Sequence, residues 1–507
     1  MKILFVQSEA ENLSVELLSS YLKANTHQVF LFFDPLLFSS SVISNRILGN
    51  LFDIKEVLLQ TIRTIKPDII GFSIMTGDYQ WALQTATEIK KHFDIPIIFG
   101  GHHTISVPER VIAKNCIDIV CVGEGEEPLL ELLNSMESGK IDTSIKNLWF
   151  KTNGKVIRNE IRNLGDNLDK YPYPDKDLFY EETPLLKKHY TTMFSRGCCY
   201  KCTYCCNNVR IDTYKGKGKY LRIRSVGHAM GELIEAEKKY NPKIYCFADD
   251  MITAYKNWFR DFTFEYKNRV NKPYVCYTHP KFFNEEIGRL MKESNCLWLN
   301  FGLQTASEKT RREILGRIET NDEIRKCAEI CNKLKLNFSI DHIFDIPYET
   351  EDDYIESMKV YTELQPTIIN TFYLAYYPKT DIIKTAMKCG ILKEKDLEKI
   401  EEGKYFTSFT LSVGADENMK KRIHMYNKYL FVFTLIPILP KSVMNKIIER
   451  GYYNYFSRMP TSFIIILKTL LRVRIGQFYL YWGELERLLH NMYRNLKLIC
   501  AQKLNRC

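Results

Sequence analysis

The chain has 507 residues, 45% of them hydrophobic and 13% aromatic, so we expect two or three domains with large cores. Its formal charge is +10, but residues 441–507 hold 12 Lys and Arg against 3 Asp and Glu, so the basic character belongs to that region. No stretch reaches the roughly 18 consecutive apolar residues that a spanning helix needs, so we do not expect a transmembrane protein.

The N-terminal residues 1–7 carry one positive charge and an apolar run too short for a secretory signal. We therefore expect a cytoplasmic protein. The chain contains 15 cysteines. In a reducing compartment, clustered cysteines bind metal or act in catalysis more often than they form disulfides.

Residues 1–145 alternate between short apolar runs and segments of helical period. The runs predict strands, separated by helices of which 79–93 is the clearest, and they cover residues 2–7, 28–33, 68–73, 96–101 and 118–124. Near-continuous apolar strands between helices indicate a parallel sheet covered on both faces. We predict an α/β domain with a flavodoxin-like, doubly wound sheet, which binds ligands beyond the carboxyl ends of its strands.

Small and polar residues follow three of these strands. A single loop of this kind is most simply a tight turn, but three at neighbouring strand ends indicate a ligand site. The residues that we assign to this site are Ser73, Thr76, Tyr79, Gly100, Gly101, His102, His103, Gly123, Glu124 and Gly125.

Residues 146–188 are predicted to be a linker, because the sequence YPYPD at 171–175 suits neither helix nor sheet. Residues 189–390 return to strand and helix alternation. Six predicted strands suit a partial (βα)6 barrel of the TIM type, with its active site at the carboxyl ends of the strands. Residues 391–507 have a helical pattern and a basic charge.

Five cysteines lie within nine residues, directly after the first barrel strand. Cys198, Cys202 and Cys205 form a C-x3-C-x2-C pattern. A structural zinc site needs a second pair of ligands, and none follows at a usual spacing. Three thiolates on one loop instead suit a 4Fe-4S cluster with one iron left open.

This loop, with its lead-in at 195–197 and the aromatic Tyr204, resembles that of the radical S-adenosylmethionine (SAM) superfamily. The resemblance implies that Cys198, Cys202 and Cys205 bind the cluster. It also implies that SAM chelates the open iron and is cleaved to a 5′-deoxyadenosyl radical. Cys199 and Cys206 are expected to be small buried side chains without a role in the cluster.

The same resemblance implies that Tyr204, Glu232, Gln304 and Arg317 contact SAM. Glu232 would receive the amino group of SAM, and the guanidinium of Arg317 suits its carboxylate. The segment at 344–350 occupies the place of a Gly-Leu-Pro-Gly-Glu-Thr loop, but Asp345 and Tyr348 replace its glycines. That departure puts the backbone course of the loop in doubt.

A flavodoxin-like domain before such a barrel resembles the cobalamin-binding radical SAM enzymes over residues 1–390. The implied cofactors are a 4Fe-4S cluster, SAM and cobalamin. The loop at 8–13 lacks the histidine of a D-x-H-x-x-G motif, so we expect cobalamin without an axial histidine from the protein. We expect His102 and His103 to pack in the domain or to contact the nucleotide tail of the corrin.

The leading hypothesis is a C-methyltransferase that acts on an unactivated carbon through the 5′-deoxyadenosyl radical and methylcobalamin. An oxidative cyclase or rearrangement enzyme with the same cofactors shares every motif. A corrinoid- or redox-sensing regulator is a distant alternative, because no DNA-reading motif is present. No catalytic residue is assigned.

The implied partners are a small or lipid-like substrate and an electron donor such as flavodoxin or ferredoxin, with no nucleic acid. The basic C-terminal region, in particular 458–482, either contacts an anionic membrane surface or forms a helical cap over the barrel.

Overall fold

The computed structural model describes residues 1–38, 45–405, 417–472 and 478–504. Its first sheet has the strand order β2-β1-β3-β4-β5-β6-β7, in which β1 to β5 are parallel and the last two strands are antiparallel. The strands are β1 (Lys2–Ser8), β2 (Gln28–Asp34), β3 (Ile69–Ser73), β4 (Ile97–Gly100), β5 (Ile119–Cys121), β6 (Leu148–Thr152) and β7 (Lys155–Arg158).

The five parallel strands confirm the predicted flavodoxin-like sheet. Residues 148–158 differ from the prediction, because this part of the expected linker forms β6 and β7 at the edge of the sheet. These short strands gave a weak sequence signal, since β6 is only partly buried and all four residues of β7 are exposed. The helices of this domain are α1 (Leu13–Ala24), α2 (Arg46–Leu51), α3 (Lys55–Ile65), α4 (Tyr79–His92), α5 (His102–Ser106), α6 (Pro108–Ile112) and α7 (Glu126–Glu137).

The second sheet is parallel, with the order β15-β14-β13-β12-β11-β8, so it forms a partial barrel whose edge strands are β8 and β15. A short antiparallel pair, β9 with β10, lies beside it. The strands are β8 (His189–Thr192), β9 (Ser195–Arg196), β10 (Arg222–Ile223), β11 (Ile244–Phe247), β12 (Tyr274–Thr278), β13 (Cys296–Gln304), β14 (Phe338–Phe344) and β15 (Ile368–Tyr373).

Helices cover the outer face of this barrel. Alternate strand residues such as Tyr245, Phe301 and Phe344 are buried against them. The helices from the linker to the end of the barrel region are α8 (Asp177–Tyr180), α9 (Cys206–Thr213), α10 (Val226–Lys239), α11 (Lys256–Arg269), α12 (Glu285–Glu293), α13 (Glu308–Glu313), α14 (Asn321–Leu334), α15 (Glu351–Leu364), α16 (Asp381–Lys388) and α17 (Glu394–Glu401).

The C-terminal region is helical, as predicted, and contacts both edges of the barrel. Lys468 donates to Thr371 of β15, and Lys188, just before β8, pairs with Glu486. Arg494 donates to the Phe33 carbonyl in the first domain, 461 positions away. The helices are α18 (Glu417–Leu435), α19 (Lys441–Glu449), α20 (Thr461–Arg472) and α21 (Phe478–Leu504).

These contacts favour the prediction that this region forms a helical cap that covers the barrel. In α20, Ile464 is buried while Phe463 and Ile466 are exposed, and contact with a membrane surface stays a prediction. The residues at 473–477, within the segment of that prediction, lie outside the described residues. Within the described ranges, no helix combines the length and the apolar composition needed to cross a bilayer.

A buried lysine joins the linker to the first domain. Lys176 lies 2.9 Å from Glu11 and 2.7 Å from Glu16, and the side chains of Lys176 and Glu16 are 0% exposed. Its ammonium also lies 5.1 Å from the centre of the Tyr190 ring in β8. The lysine therefore connects the first domain, the linker and the barrel at a single buried point.

Candidate functional site

The cysteine loop follows β9 at the carboxyl end of the barrel and is fixed by backbone geometry. Gly197 has φ +89°, and a Cβ there would collide with the backbone carbonyl of Tyr220. Farther along, the Thr203 amide donates to the Leu315 carbonyl at 3.1 Å, and its hydroxyl donates to the Ile314 carbonyl at 2.6 Å. The segment after α13 therefore holds the middle of the cysteine loop.

The three predicted cluster ligands lie on this loop as free thiols, with Cys202 buried and the other two half-buried. Burial raises the pKa of Cys198 to about 12 and that of Cys202 to about 11. The Cys206 thiol donates to Cys205, which lowers the pKa of Cys205 to about 7. Three thiols on one loop fit a cluster that leaves one iron open.

No three His, Cys, Asp or Glu side chains in the described part of the chain converge on a point where one metal ion would bind. The thiolates of a 4Fe-4S cluster bind three different irons, so they do not need to converge in this way. The expectation that Cys199 and Cys206 are buried is wrong for Cys199, which is exposed. Cys206 is half-buried.

Arg317 lies beside the cysteine loop and contacts Tyr204 of that loop. Arg317 donates to Tyr204 at 3.5 Å and to the Gly302 carbonyl, and it pairs with Glu319. Although burial opposes it, the hydrogen bond from His279 and the charge of Arg317 lower the pKa of Glu319 to about 2. An ionised Glu319 thus positions the guanidinium next to the loop.

Gln304 lies at the end of β13 in a conformation that favours glycine. Its φ is +71°, and the strand register shifts between Gly302 and Gln304. The Gln304 side chain is buried, and its Oε1 has no hydrogen-bond partner among the described residues. An unpartnered acceptor on a strained backbone at a strand end fits a position that contacts a ligand, as predicted for SAM.

The Glu232 carboxylate does not lie with Arg317 and Gln304 near the cysteine loop. It lies in α10 on the outer side of the barrel, where its carboxylate pairs with Arg224 at 2.5 Å and accepts from Tyr190 at 3.0 Å. Its placement therefore differs from the predicted contact with the SAM amino group. The spacing from the cysteines located the helix correctly, but it did not say which face of the helix carries the carboxylate.

Two carboxylates at the end of β11 were missed. Asp249 is buried and accepts from the Phe194 amide at 3.0 Å and from the Ser195 amide at 2.5 Å, so it fixes the lead-in to the cysteine loop. Burial raises its pKa to about 6. Asp250 accepts from Asn207 at 2.9 Å, next to Cys205. It supplies beside the loop the kind of carboxylate that was expected at Glu232.

The loop between β14 and α15 keeps the backbone course of the glycine-containing pattern. Asp345 has φ +69° and Tyr348 has φ +65°, which is the left-handed region that glycine adopts readily. The hydroxyl of Tyr426 in α18 donates to Asp345 at 3.0 Å. The C-terminal region therefore stabilises a strained loop at the barrel mouth.

In the first domain, three residues of the predicted cobalamin site are buried and contact one another. They are Thr76, Tyr79 and His103. The Tyr79 and His103 side chains are fully buried, with ring centres 4.2 Å apart, and His103 bonds to Thr76 at 3.2 Å. This packing is of the kind expected for His103, and contact of Tyr79 and Thr76 with cobalamin stays a prediction. Met75 in this loop is exposed, and it was not among the residues predicted from the sequence.

His102 differs from its neighbour. It begins α5, which packs against α9 of the barrel, and its Nδ1 is buried without a hydrogen-bond partner in the described part of the chain. Burial, with a contribution from the charge of Arg210, lowers its pKa to about 4. A neutral imidazole at the junction of the two domains fits a ligand contact between them.

The Gly123-Glu124-Gly125 turn contacts the barrel. Glu124 pairs with Arg196 at 3.1 Å and with Arg222, and its amide donates to the Tyr214 hydroxyl. A Cβ on Gly123 would lie 2.5 Å from that hydroxyl. The Glu124 side chain therefore anchors one domain to the other, and contact of this turn with cobalamin stays a prediction.

A Gly101→Ala substitution is expected to reduce cobalamin binding. Gly101 has φ +97°, and its new Cβ would lie 2.5 Å from the Ile74 carbonyl oxygen, so the loop after β3 would have to move. Cobalamin retained after gel filtration, measured by absorbance, should fall while iron content stays unchanged. The control is Gly139→Ala, where φ is +81° but nothing lies within 4 Å. Equal cobalamin retention in both variants would contradict this role.

Comparisons with known proteins agree with the two-domain arrangement. Residues 4–133 match the family model described as the B12 binding domain, and residues 192–360 match that of the radical SAM superfamily. A protein of Pyrococcus horikoshii named as an uncharacterized methyltransferase is 26% identical over 371 residues, or 70% of this chain and 78% of that protein. The anaerobic magnesium-protoporphyrin IX monomethyl ester cyclase of Rubrivivax gelatinosus is 22% identical, over 73% of this chain and 65% of the cyclase.

Two solved structures have the same fold at low identity. The radical SAM methyltransferase TsrM of Kitasatospora setae, with cobalamin and a [4Fe-4S] cluster bound, superposes with a TM-score of 0.66 and 13% identity over 94% of this chain and 99% of that chain. The cobalamin-dependent radical SAM enzyme OxsB, with aqua-cobalamin bound, gives a TM-score of 0.65 and 16% identity over 98% and 84%.

Proposed function

Because the chain is a cobalamin-dependent radical SAM enzyme, we propose that it is a C-methyltransferase that methylates an unactivated carbon of a small molecule. The observation that carries the proposal is the contact between the loops of the first domain and the cluster end of the barrel. Helix α5, which follows β4, packs on α9, which begins at Cys206 directly after the cysteine loop.

This arrangement suits transfer between two cofactors. When bound, the cluster and SAM supply the radical that removes a hydrogen atom, and cobalamin supplies the methyl group. The residues of the chain provide position. Arg317 and Gln304 would hold SAM at the barrel mouth, and Gly101 and His102 would hold cobalamin above it.

The names of similar proteins divide between two reactions. The relative with 26% identity is named as a methyltransferase, and TsrM is a methyltransferase of the same fold. Oxidative cyclisation is the second candidate, since cyclases from two organisms match at 22% and 20% identity. An electron donor such as flavodoxin or ferredoxin would serve either reaction.

The two candidates differ in what happens to the methyl group of SAM. The holoenzyme, reconstituted anaerobically with iron, sulfide and cobalamin, is incubated in the dark with a low-potential reductant and SAM carrying a CD3 group. A methyltransferase should convert its bound cobalamin to the CD3 form and release a matching amount of S-adenosylhomocysteine. Both products are measured by mass spectrometry, with enzyme reconstituted without cobalamin as the control.

Formation of CD3-cobalamin and cobalamin-dependent S-adenosylhomocysteine would support the methyltransferase. Formation of 5′-deoxyadenosine with no labelled cobalamin would contradict it and favour the cyclase.

A further inference from the structure

Three polar side chains form a row across adjacent strands of the barrel. Asn300 of β13 donates to both carboxylate oxygens of Asp341 in β14, at 3.1 and 3.0 Å. Asn370 of β15 donates to Asp341 at 3.0 Å. We call these three residues the acidic cradle.

The cradle faces the inside of the barrel. Residues next to it in sequence, such as Phe301, Ile340 and Ile369, are buried in the core under the outer helices. Side chains alternate between the two faces of a strand, so Asn300, Asp341 and Asn370 point to the inner face. These three residues are only half-buried, which means that space lies in front of them.

The cradle also lies close to the cofactor end. Asp341 pairs in register with Gly302, whose carbonyl accepts from Arg317. Two residues after Asp341, Ile343 belongs to the apolar cluster that contacts Tyr204 of the cysteine loop. Two strand residues span about 7 Å. A small molecule held at Asp341 is therefore long enough to reach the barrel mouth, where the cysteine loop lies.

In the described part of the chain, the negative charge of the acidic cradle is not balanced by a directly paired cation. Among the described residues, no cationic side chain lies within salt-bridge distance of Asp341. The charges of Arg317 and Lys468 act on it only from farther away, and both amides donate to it. The Asn300 Oδ1 is buried and has no hydrogen-bond partner in the same part of the chain. The cradle therefore presents acceptors and a negative charge, and what it lacks is a positively charged donor.

We propose that the acidic cradle binds a protonated amine of the substrate, with Asp341 as the counter-ion and Asn300 Oδ1 as a second acceptor. This inference rests on the proposed function and names its substrate class, an organic cation with a primary or secondary ammonium group. Tyr277 of β12, on the same inner face and 42% exposed, adds an aromatic ring toward the cation.

A purely structural role for Asp341 accounts less well for the groups that surround its carboxylate. A carboxylate that only joins three strands would be stabilised by donors on all its sides or by a paired cation, and an apolar side chain of similar size would be as stable. Burial raises the pKa of Asp341, whereas the amides of Asn370 and Asn300 lower it, so an ammonium ligand would further favour the ionised carboxylate.

The first test uses a probe that does not depend on turnover. Crystals of the holoenzyme are soaked with thallium(I), an analogue of ammonium that scatters anomalously. An anomalous peak between the Asp341 carboxylate and Asn300 Oδ1 is expected in the wild type and not in Asp341→Asn. The absence of this peak in the wild type would overturn the proposal.

The second test identifies the substrate class. The holoenzyme is incubated with CD3-labelled SAM and the small molecules extracted from the organism that encodes the chain, and CD3-labelled products are separated by cation exchange. We expect the labelled product to be retained as a cation and Asp341→Asn to lower its formation by about 30-fold or more. A labelled product that has no basic nitrogen would overturn the proposal.

Two controls separate the cradle from the cofactor sites. Asp341→Asn should keep wild-type iron, cobalamin and SAM affinity, and a large loss of SAM affinity would assign Asp341 to SAM and overturn the proposal. Glu237→Gln changes a carboxylate on the outer side of the barrel, beside Tyr245, and should label product at the wild-type rate. Failure of the methyltransferase function would appear as a thallium peak without any labelled product.

Discussion

Replacing Cys202 by alanine is expected to abolish assembly of the iron–sulfur cluster. Cys202 is the buried member of the three thiols and lies beside Arg317, between Lys201 and the Thr203 that is bonded to the Leu315 carbonyl. With two ligands left, the loop no longer supplies three corners of the cluster. Iron and sulfide per chain after anaerobic reconstitution should fall from about four of each to background, and cleavage of SAM should fall with them.

The matched control is Cys206→Ala, which removes a thiol directly after a proposed ligand. This variant should retain the cluster, because Cys206 contacts Cys205 by a hydrogen bond alone. Its electron paramagnetic resonance spectrum in the reduced state should match that of the wild type. Normal iron content in the Cys202 variant, or loss of the cluster in both variants, would refute the ligand assignment.

A Lys176→Met substitution is expected to destabilise the chain by about 3–5 kcal/mol. The lysine is fully buried between Glu11 and Glu16, and removing its charge leaves the buried carboxylates without a counter-ion. Burial already raises the pKa of Glu16, and without Lys176 that pKa should rise further. The measurement is urea unfolding followed by tryptophan fluorescence.

The sign of the pH dependence follows from this shift. A carboxyl group whose pKa is raised in the folded state stabilises that state at low pH and loses this contribution as the pH rises. The deficit of the Lys176 variant should therefore be larger at pH 8 than at pH 5. Lys23→Met is the control, since Lys23 pairs with Asp175 at 2.6 Å but is 44% exposed, and it should cost at most about 1 kcal/mol. Equal effects of the two substitutions would contradict the argument.

The sequence predicted both parallel sheets because their strands are continuous apolar runs, and a buried strand leaves that signal wherever it lies. It pointed to Gln304 because this residue ends a strand, and to Arg317 because the segment after that strand resembles the SAM contacts of the superfamily. For Glu232 the sequence indicated less, because the pattern of a helix indicates its apolar face and not the partner of a buried carboxylate. That partner, Arg224, is set by tertiary packing.

Other residues were missed for a related reason. Asp249 and Asp250 follow the second barrel strand, and two acidic residues just past a carboxyl strand end were an available signal. Asn300, Asp341 and Asn370 carry no local signal, since each is a polar residue within a largely apolar strand. Their meaning depends on strand order and register, which place residues separated by 41 and 29 positions side by side.

The bond between Arg494 and Phe33 has a consequence for biosynthesis. The ribosome makes the first domain early, and the partner of the Phe33 carbonyl emerges 461 positions later. Domains fold in order of synthesis, so this side of the first domain stays uncovered for almost the whole of translation. Every premature stop upstream of α21 would release a chain whose early domain is folded but lacks its final covering.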